Sequence, residues 1–128
     1  MSVNTGNILV VEDDPEINRL LGAYVKMHGY GYRGAMNGAA GIREARAWHP
    51  SLIVLDLMLP DTDGYEVCRT LKSDSDTASI PIVMVTALSS EENRRKGLEC
   101  GAVAYMNKPF NPDALMALIK KNATAPMN

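Results

Sequence analysis

The chain has 128 residues, of which 46% are hydrophobic and 22% charged, and its formal net charge is -2. That length suits one domain with a single core needing no staples, so one domain over residues 1–128 is expected, with a core at about 7–121 and a frayed tail at 122–128. The charge offers no broad basic field for direct nucleic-acid binding, and no stretch reaches the ~18 apolar residues of a membrane span.

Cys68 and Cys100 are too few for a disulfide framework or a metal set. They read as small buried hydrophobes in apolar helical patterns, in a reducing compartment. The opening MSVNTGN has neither a basic region nor a long apolar segment, which places the expected protein in the cytoplasm without a membrane.

In chain order, Ile8 to Val11 is a short apolar run that stops at Glu12, Asp13 and Asp14. Asp14 suits a helix cap and Pro15 the first helical position, with Ile17, Leu20, Leu21, Tyr24 and Val25 at helical spacing until Gly29. Tyr30 to Ala35 is a weaker strand. Asn37 then caps an alanine-rich helix that runs to about Trp48 and is closed by His49 and Pro50.

The stretch SLIVLDLMLPDTDG at 51–64 is a buried strand running into a loop. Asp56 ends its apolar run, where burying even a neutral polar group without a partner costs roughly 2 to 7 kcal/mol. Some group must meet that carboxylate. A helix from about Tyr65 to Lys72 follows, then a polar loop, SDSDTAS, and an apolar run from Ile82 to Val85 ending in Thr86 and Ala87. Ser89 and Glu92 have capping-box spacing for a fourth helix that ends near Gly101. Ala102 to Asn107 is a last strand, Lys108 to Phe110 a turn, and Asn111 with Pro112 begins a final helix carrying Leu115, Leu118 and Ile119. The segment ATAPMN is expected to fray.

Strands alternate with helices five times, the pattern of a parallel sheet covered on both faces, in the α/β class. Ligand sites of such sheets lie beyond the carboxyl ends of the strands. Glu12, Asp13, Asp56, Thr86 and Lys108 all fall there. Three neighbouring carboxylates repel unless a cation joins them, and Mg²⁺ suits an open oxygen site completed by water and phosphate. The group reads as a device that sets a phosphoryl group against a carboxylate, with charge neutralisation as its main contribution.

With ILVVEDD at 8–14, LIVLDLMLPDTDG at 52–64, VMVTA at 83–87 and YMNKPF at 105–110, in that order, the chain resembles the CheY-like receiver domains of two-component response regulators along nearly its whole length. The resemblance implies a flavodoxin-like, doubly wound, five-stranded parallel sheet of order 2-1-3-4-5 with five helices, an order carried over from the family. It implies that Asp56 is the phosphoacceptor, that Asp13 ligates Mg²⁺, and that Glu12 holds a metal-bound water. Met58 lends a backbone carbonyl to the metal, Thr86 and Lys108 meet the phosphoryl oxygens, and Tyr105 switches with Thr86. A cis Lys108–Pro109 bond is also implied.

The implied function is a phosphorelay step, not enzymatic turnover. A histidine kinase or phosphotransfer protein phosphorylates Asp56, and the face made by the fourth helix, fifth strand and fifth helix then controls an unknown downstream protein. Thr86 as an ordinary strand residue and Tyr105 as plain half-buried packing stay open as alternatives. A phosphorylation-independent interaction domain is the competing function. An aspartyl phosphohydrolase is disfavoured because Met58 stands where such enzymes carry a second acid.

Departures from the family add two expectations. Val103 and Ala104 replace a frequent acidic pair, while Ala114 and Leu118 replace charges that pair across a dimer in many members, so Ala104, Ala114 and Leu118 suggest an apolar patch for a different partner or homodimer. Met58 and Leu88 flank the expected path of attacking water and cannot orient it well, which implies slow self-dephosphorylation. The chain is expected to be a stand-alone receiver or one excised from a longer regulator.

Overall fold

The structure, a computed structural model, describes residues 6–124. Five parallel strands, β1 (Asn7–Val11), β2 (Gly31–Ala35), β3 (Leu52–Leu55), β4 (Ile82–Thr86) and β5 (Ala104–Asn107), form one sheet in the order β2-β1-β3-β4-β5. Helices α1 (Pro15–Met27), α2 (Gly38–Trp48), α3 (Gly64–Ser73), α4 (Glu91–Glu99) and α5 (Pro112–Asn122) connect and follow them. Class, strand order and helix number agree with expectation.

Side chains alternate across the sheet, so each central strand feeds two cores. Leu9, Val11, Ile53, Leu55, Ile82 and Met84 join Ala45 of α2 and Val67, Cys68 and Leu71 of α3 on one face. Ile8, Val10, Leu52, Val54, Val83 and Val85 join Leu21 and Val25 of α1 and Leu115, Met116 and Ile119 of α5 on the other. Burial on both faces explains why these strands read as continuous apolar runs.

The helix starts follow their caps. Asp14 accepts from the Glu16 and Ile17 amides, Asn37 from Ala40 and Asn111 from Ala114. The fourth helix corrects the expected capping box: Ser90, not Ser89, is the cap, and its hydroxyl accepts from the Asn93 amide at 3.0 Å. Glu92 consequently lies inside the first turn instead of closing a box.

Other expectations also need correction. Leu20 is 49% exposed, while Asn18 is buried in the α1 interface. Its amide nitrogen reaches the carbonyls of Val10, Glu12 and Ala35 at 3.3, 2.9 and 3.2 Å, tying together the ends of β1 and β2. The last strand starts at Ala104, because Ala102 and Val103 still belong to the turn after α4. Within the polar loop Thr77 is fully buried, its hydroxyl donating to the Leu71 carbonyl at 2.6 Å.

The expected frayed tail is partly ordered. Asn122 belongs to α5, and both the amide and the hydroxyl of Thr124 donate to the Ser51 carbonyl, at 3.0 and 3.2 Å. Residues 125–128 lie outside the described residues. Cys68 is buried as expected, but Cys100 is only half-buried, because it caps the C-terminus of α4. Both are free thiols. No helix among the described residues is long and apolar enough to cross a membrane.

Candidate functional site

At the carboxyl edge of the sheet, the loops after β1, β3, β4 and β5 surround a cleft lined by Glu12, Asp13, Asp56, Met58, Leu88 and Lys108, among others. Asp56 follows directly on β3, and its backbone amide donates to the Val11 carbonyl at 3.0 Å. Only 5% of it is exposed. One carboxylate oxygen, Oδ1, accepts from the Met58 amide at 3.1 Å and the other, Oδ2, from Lys108 Nζ at 2.8 Å. The partner demanded by this buried acid is thus Lys108.

Lys108 also donates to Glu12 Oε1 at 2.6 Å, while Glu12 Oε2 accepts from the Asp14 amide at 3.0 Å. Burial raises the Glu12 carboxyl above its ordinary range; Lys108 and the Asp14 amide act against the shift, and the nearby Asp56 charge adds to it. For Lys108, burial disfavours the ammonium, but its bonds to Asp56 and Glu12 outweigh that effect and hold its pKa above normal. The lysine therefore stays charged, bridging two acids that would otherwise repel.

Asp13 completes the acidic group. Oxygen atoms of Glu12, Asp13 and Asp56 all lie within 4.8 Å of one another. Asp13 is exposed, and among the described residues its carboxylate has no hydrogen-bonding partner. An all-oxygen donor set with two acids already fixed and a third free fits a small hard cation.

Thr86 is fully buried at the end of β4, and its hydroxyl accepts from the Leu88 amide at 3.4 Å. It lies beside the cleft rather than on its wall, which Ala87 and Leu88 form on that side. Tyr105 is half-buried, and its hydroxyl donates to the Leu88 carbonyl at 2.6 Å; burial pushes the phenol up to about 12. Thr86 and Tyr105 thus meet through the two ends of Leu88. The Lys108–Pro109 bond is cis, as expected.

Sequence patterns missed several supports of this site. Asn107 Nδ2 donates to the carbonyls of Thr86 and Leu88, at 3.3 and 2.8 Å. Asp61, in the loop after Asp56, accepts from the Gly38 and Ala39 amides at 2.8 and 2.9 Å and so binds the site loop to the start of α2. Gly64 admits no side chain, since a Cβ there would lie 2.7 Å from the Leu57 Cα and collide with the Asp56 carbonyl. The expected apolar patch is modest: Ala114 is exposed, but Ala104 and Leu118 pack partly against the core.

The fold and this edge constellation define a class, and comparison with known proteins agrees. Residues 8–120 match the family model described as "Response regulator receiver domain". The chain belongs to the response regulator receiver domain family. It is 44% identical over 120 residues, 94% of its own length and 50% of the relative's, to the transcriptional regulatory protein GltR of Pseudomonas aeruginosa. It is 40% identical over 113 residues, 88% of this chain and 47% of the relative, to the DNA-binding dual master transcriptional regulator RpaA of Synechocystis. The chain spans about half the length of these curated relatives. Among solved structures, it is similar to a CheY-like receiver domain protein of Methanospirillum hungatei, with TM-score 0.85 and 30% identity over 92% of this chain and 93% of that one. It is likewise similar to the BeF3-activated receiver domain of Klebsiella pneumoniae RstA, with TM-score 0.83 and 34% identity over 91% and 97%. With relatives named as transcriptional regulators, the expectation of no direct nucleic-acid binding is unsupported.

Proposed function

We propose that the chain is a phosphoacceptor switch that receives a phosphoryl group on Asp56 from a histidine kinase or histidine phosphotransfer protein. The observation that carries this reading is the Lys108 ammonium held between the buried Asp56 and Glu12, with Asp13 free beside them. An Asp56 carboxylate oxygen forms the new bond to phosphorus as the bond from phosphorus to the donor's histidine nitrogen breaks. Lys108 shifts from the carboxylates to the incoming phosphoryl oxygens, supplying positive charge where negative charge accumulates.

Glu12, Asp13, Asp56 and the Met58 backbone carbonyl are the groups that would hold Mg²⁺. When bound, the ion neutralises the acids and the phosphoryl oxygens. Thr86 turns its hydroxyl from the Leu88 amide toward the phosphoryl group, and Tyr105, linked to the same residue, responds by leaving the Leu88 carbonyl. The surface of α4, β5 and α5 then changes and acts on a downstream partner. Likeness to the transcriptional regulators makes control of transcription our reading of the output, and a homodimer through α5 is one form it takes.

Beryllofluoride, which mimics a phosphoryl group on a carboxylate, tests the reading. With Mg²⁺ it is expected to shift the amide spectra of β4, α4 and β5 in the wild type but not in Asp56→Asn. Unchanged wild-type spectra favour the phosphorylation-independent domain.

A further inference from the structure

The helix α4 is the least embedded of the five, and Gly97 is its one buried residue. Side chains of α3 hold it. The Tyr65 hydroxyl donates to the carbonyl and the side-chain oxygen of Asn93, at 3.2 and 2.9 Å, and Lys96 Nζ lies 4.4 Å from the centre of the Tyr65 ring. At the C-terminal end, the Cys68 thiol donates to the Cys100 carbonyl at 3.3 Å and Arg69 Nη1 to the Cys100 sulfur at 3.4 Å. The Cys68 sulfur thus touches the backbone of the other cysteine.

We propose that Cys68 and Cys100 form a peroxide-sensitive dithiol whose oxidation to a disulfide staples α3 to the C-terminal end of α4. This goes beyond the phosphoacceptor reading and does not depend on it. Cys100 reacts first, because it is half-exposed and has the Arg69 guanidinium beside its sulfur. Cys68 is buried, and burial pushes its thiol up to about 11, so it serves as the resolving partner.

The Cys100 thiolate attacks one oxygen of hydrogen peroxide, the O–O bond breaks, and the departing hydroxide takes up the thiol's proton as water. Cys100 is left as the sulfenic acid. The Cys68 sulfur then attacks the Cys100 sulfur, the S–S bond forms and the S–O bond breaks, and hydroxide leaves as water with the Cys68 proton. Two thiols and one peroxide thus give one disulfide and two waters. Opening of the last turn of α4, which ends at Cys100 and is followed by Gly101 at φ 112, brings the two sulfurs together.

Intact-mass measurement and peptide mapping of the full chain after hydrogen peroxide test the proposal. Expected are loss of two hydrogens from the monomer, a peptide cross-linked between Cys68 and Cys100, and reversal by dithiothreitol. Amide exchange across α4 is expected to slow at least about tenfold on oxidation, as local opening is suppressed. In Cys68→Ala the reaction should stop at a Cys100 sulfenic acid that dimedone traps. Two thiols still open to alkylation, oxidation of Cys100 to sulfinic acid without a cross-link, or cross-links only between chains would overturn the dithiol. A cross-link that leaves α4 exchange unchanged would overturn the staple. The wild-type peptide map decides the chemistry even if the variant folds poorly.

Discussion

Lys108 has a side chain only 18% exposed and bridges carboxylates that are 4% and 6% exposed. Replacing it with alanine leaves two buried acids facing each other, and removing one member of a buried charged pair typically costs about 3 to 5 kcal/mol. Lys108→Ala is therefore expected to melt well below the wild type in thermal unfolding without metal. It should still bind Mg²⁺, while its amide spectra respond poorly to phosphorylation; a normal response would remove the lysine from the phosphoryl site. Met58 and Leu88 both line the cleft, and Met58 is 55% exposed. Neither side chain orients water well, so phosphorylated wild type is expected to decay slowly, and Met58→Asn with Leu88→Glu faster by at least about tenfold, equivalent to about 1.4 kcal/mol. Equal decay rates, followed after removal of the donor, would dismiss both positions. The acids and the lysine were legible in sequence because each follows a strand. Asn18, Asn107 and Asp61 were not, because each bonds main-chain groups distant in sequence and leaves no periodic mark.

Asp61 acts at the scale of elements, since it belongs to the loop after β3 but accepts from the first amides of α2. Those two bonds, chiefly, hold its carboxyl below the ordinary 3.8. A depressed carboxyl contributes stability that is present above the unfolded-state value and is lost as pH falls through the folded value. Asp61→Ala is accordingly expected to melt below the wild type at neutral pH, with the gap closing as the pH drops below 3.8. A gap independent of pH would deny the carboxylate that role. Element boundaries followed their caps where one candidate stood alone, as at Asn37 and Asn111. At α4 two adjacent serines competed, and the Ser89 and Glu92 spacing misled because Ser90 makes the bond to Asn93.

For the whole molecule, the sheet was legible because apolar runs alternate with helical periodicity five times, while strand order came from family resemblance. Leu20 was misplaced because the spacing of apolar residues does not reveal that a buried Asn18, with three carbonyls to reach, claims part of the inner face of α1. Mg²⁺ bound only to the native state would stabilise it by about 2.7 kcal/mol at a hundred times its dissociation constant. Thermal melts should show that gain in the wild type and lose most of it in Asp13→Asn, which lacks the free carboxylate; an equal gain in both would exclude Asp13 from the metal site. The most direct measurement of the phosphoacceptor assignment is intact mass after incubation with acetyl phosphate and Mg²⁺. One added phosphoryl group on the wild type, absent from Asp56→Asn, is the expected result, and an unmodified wild type or an equally modified variant would contradict it.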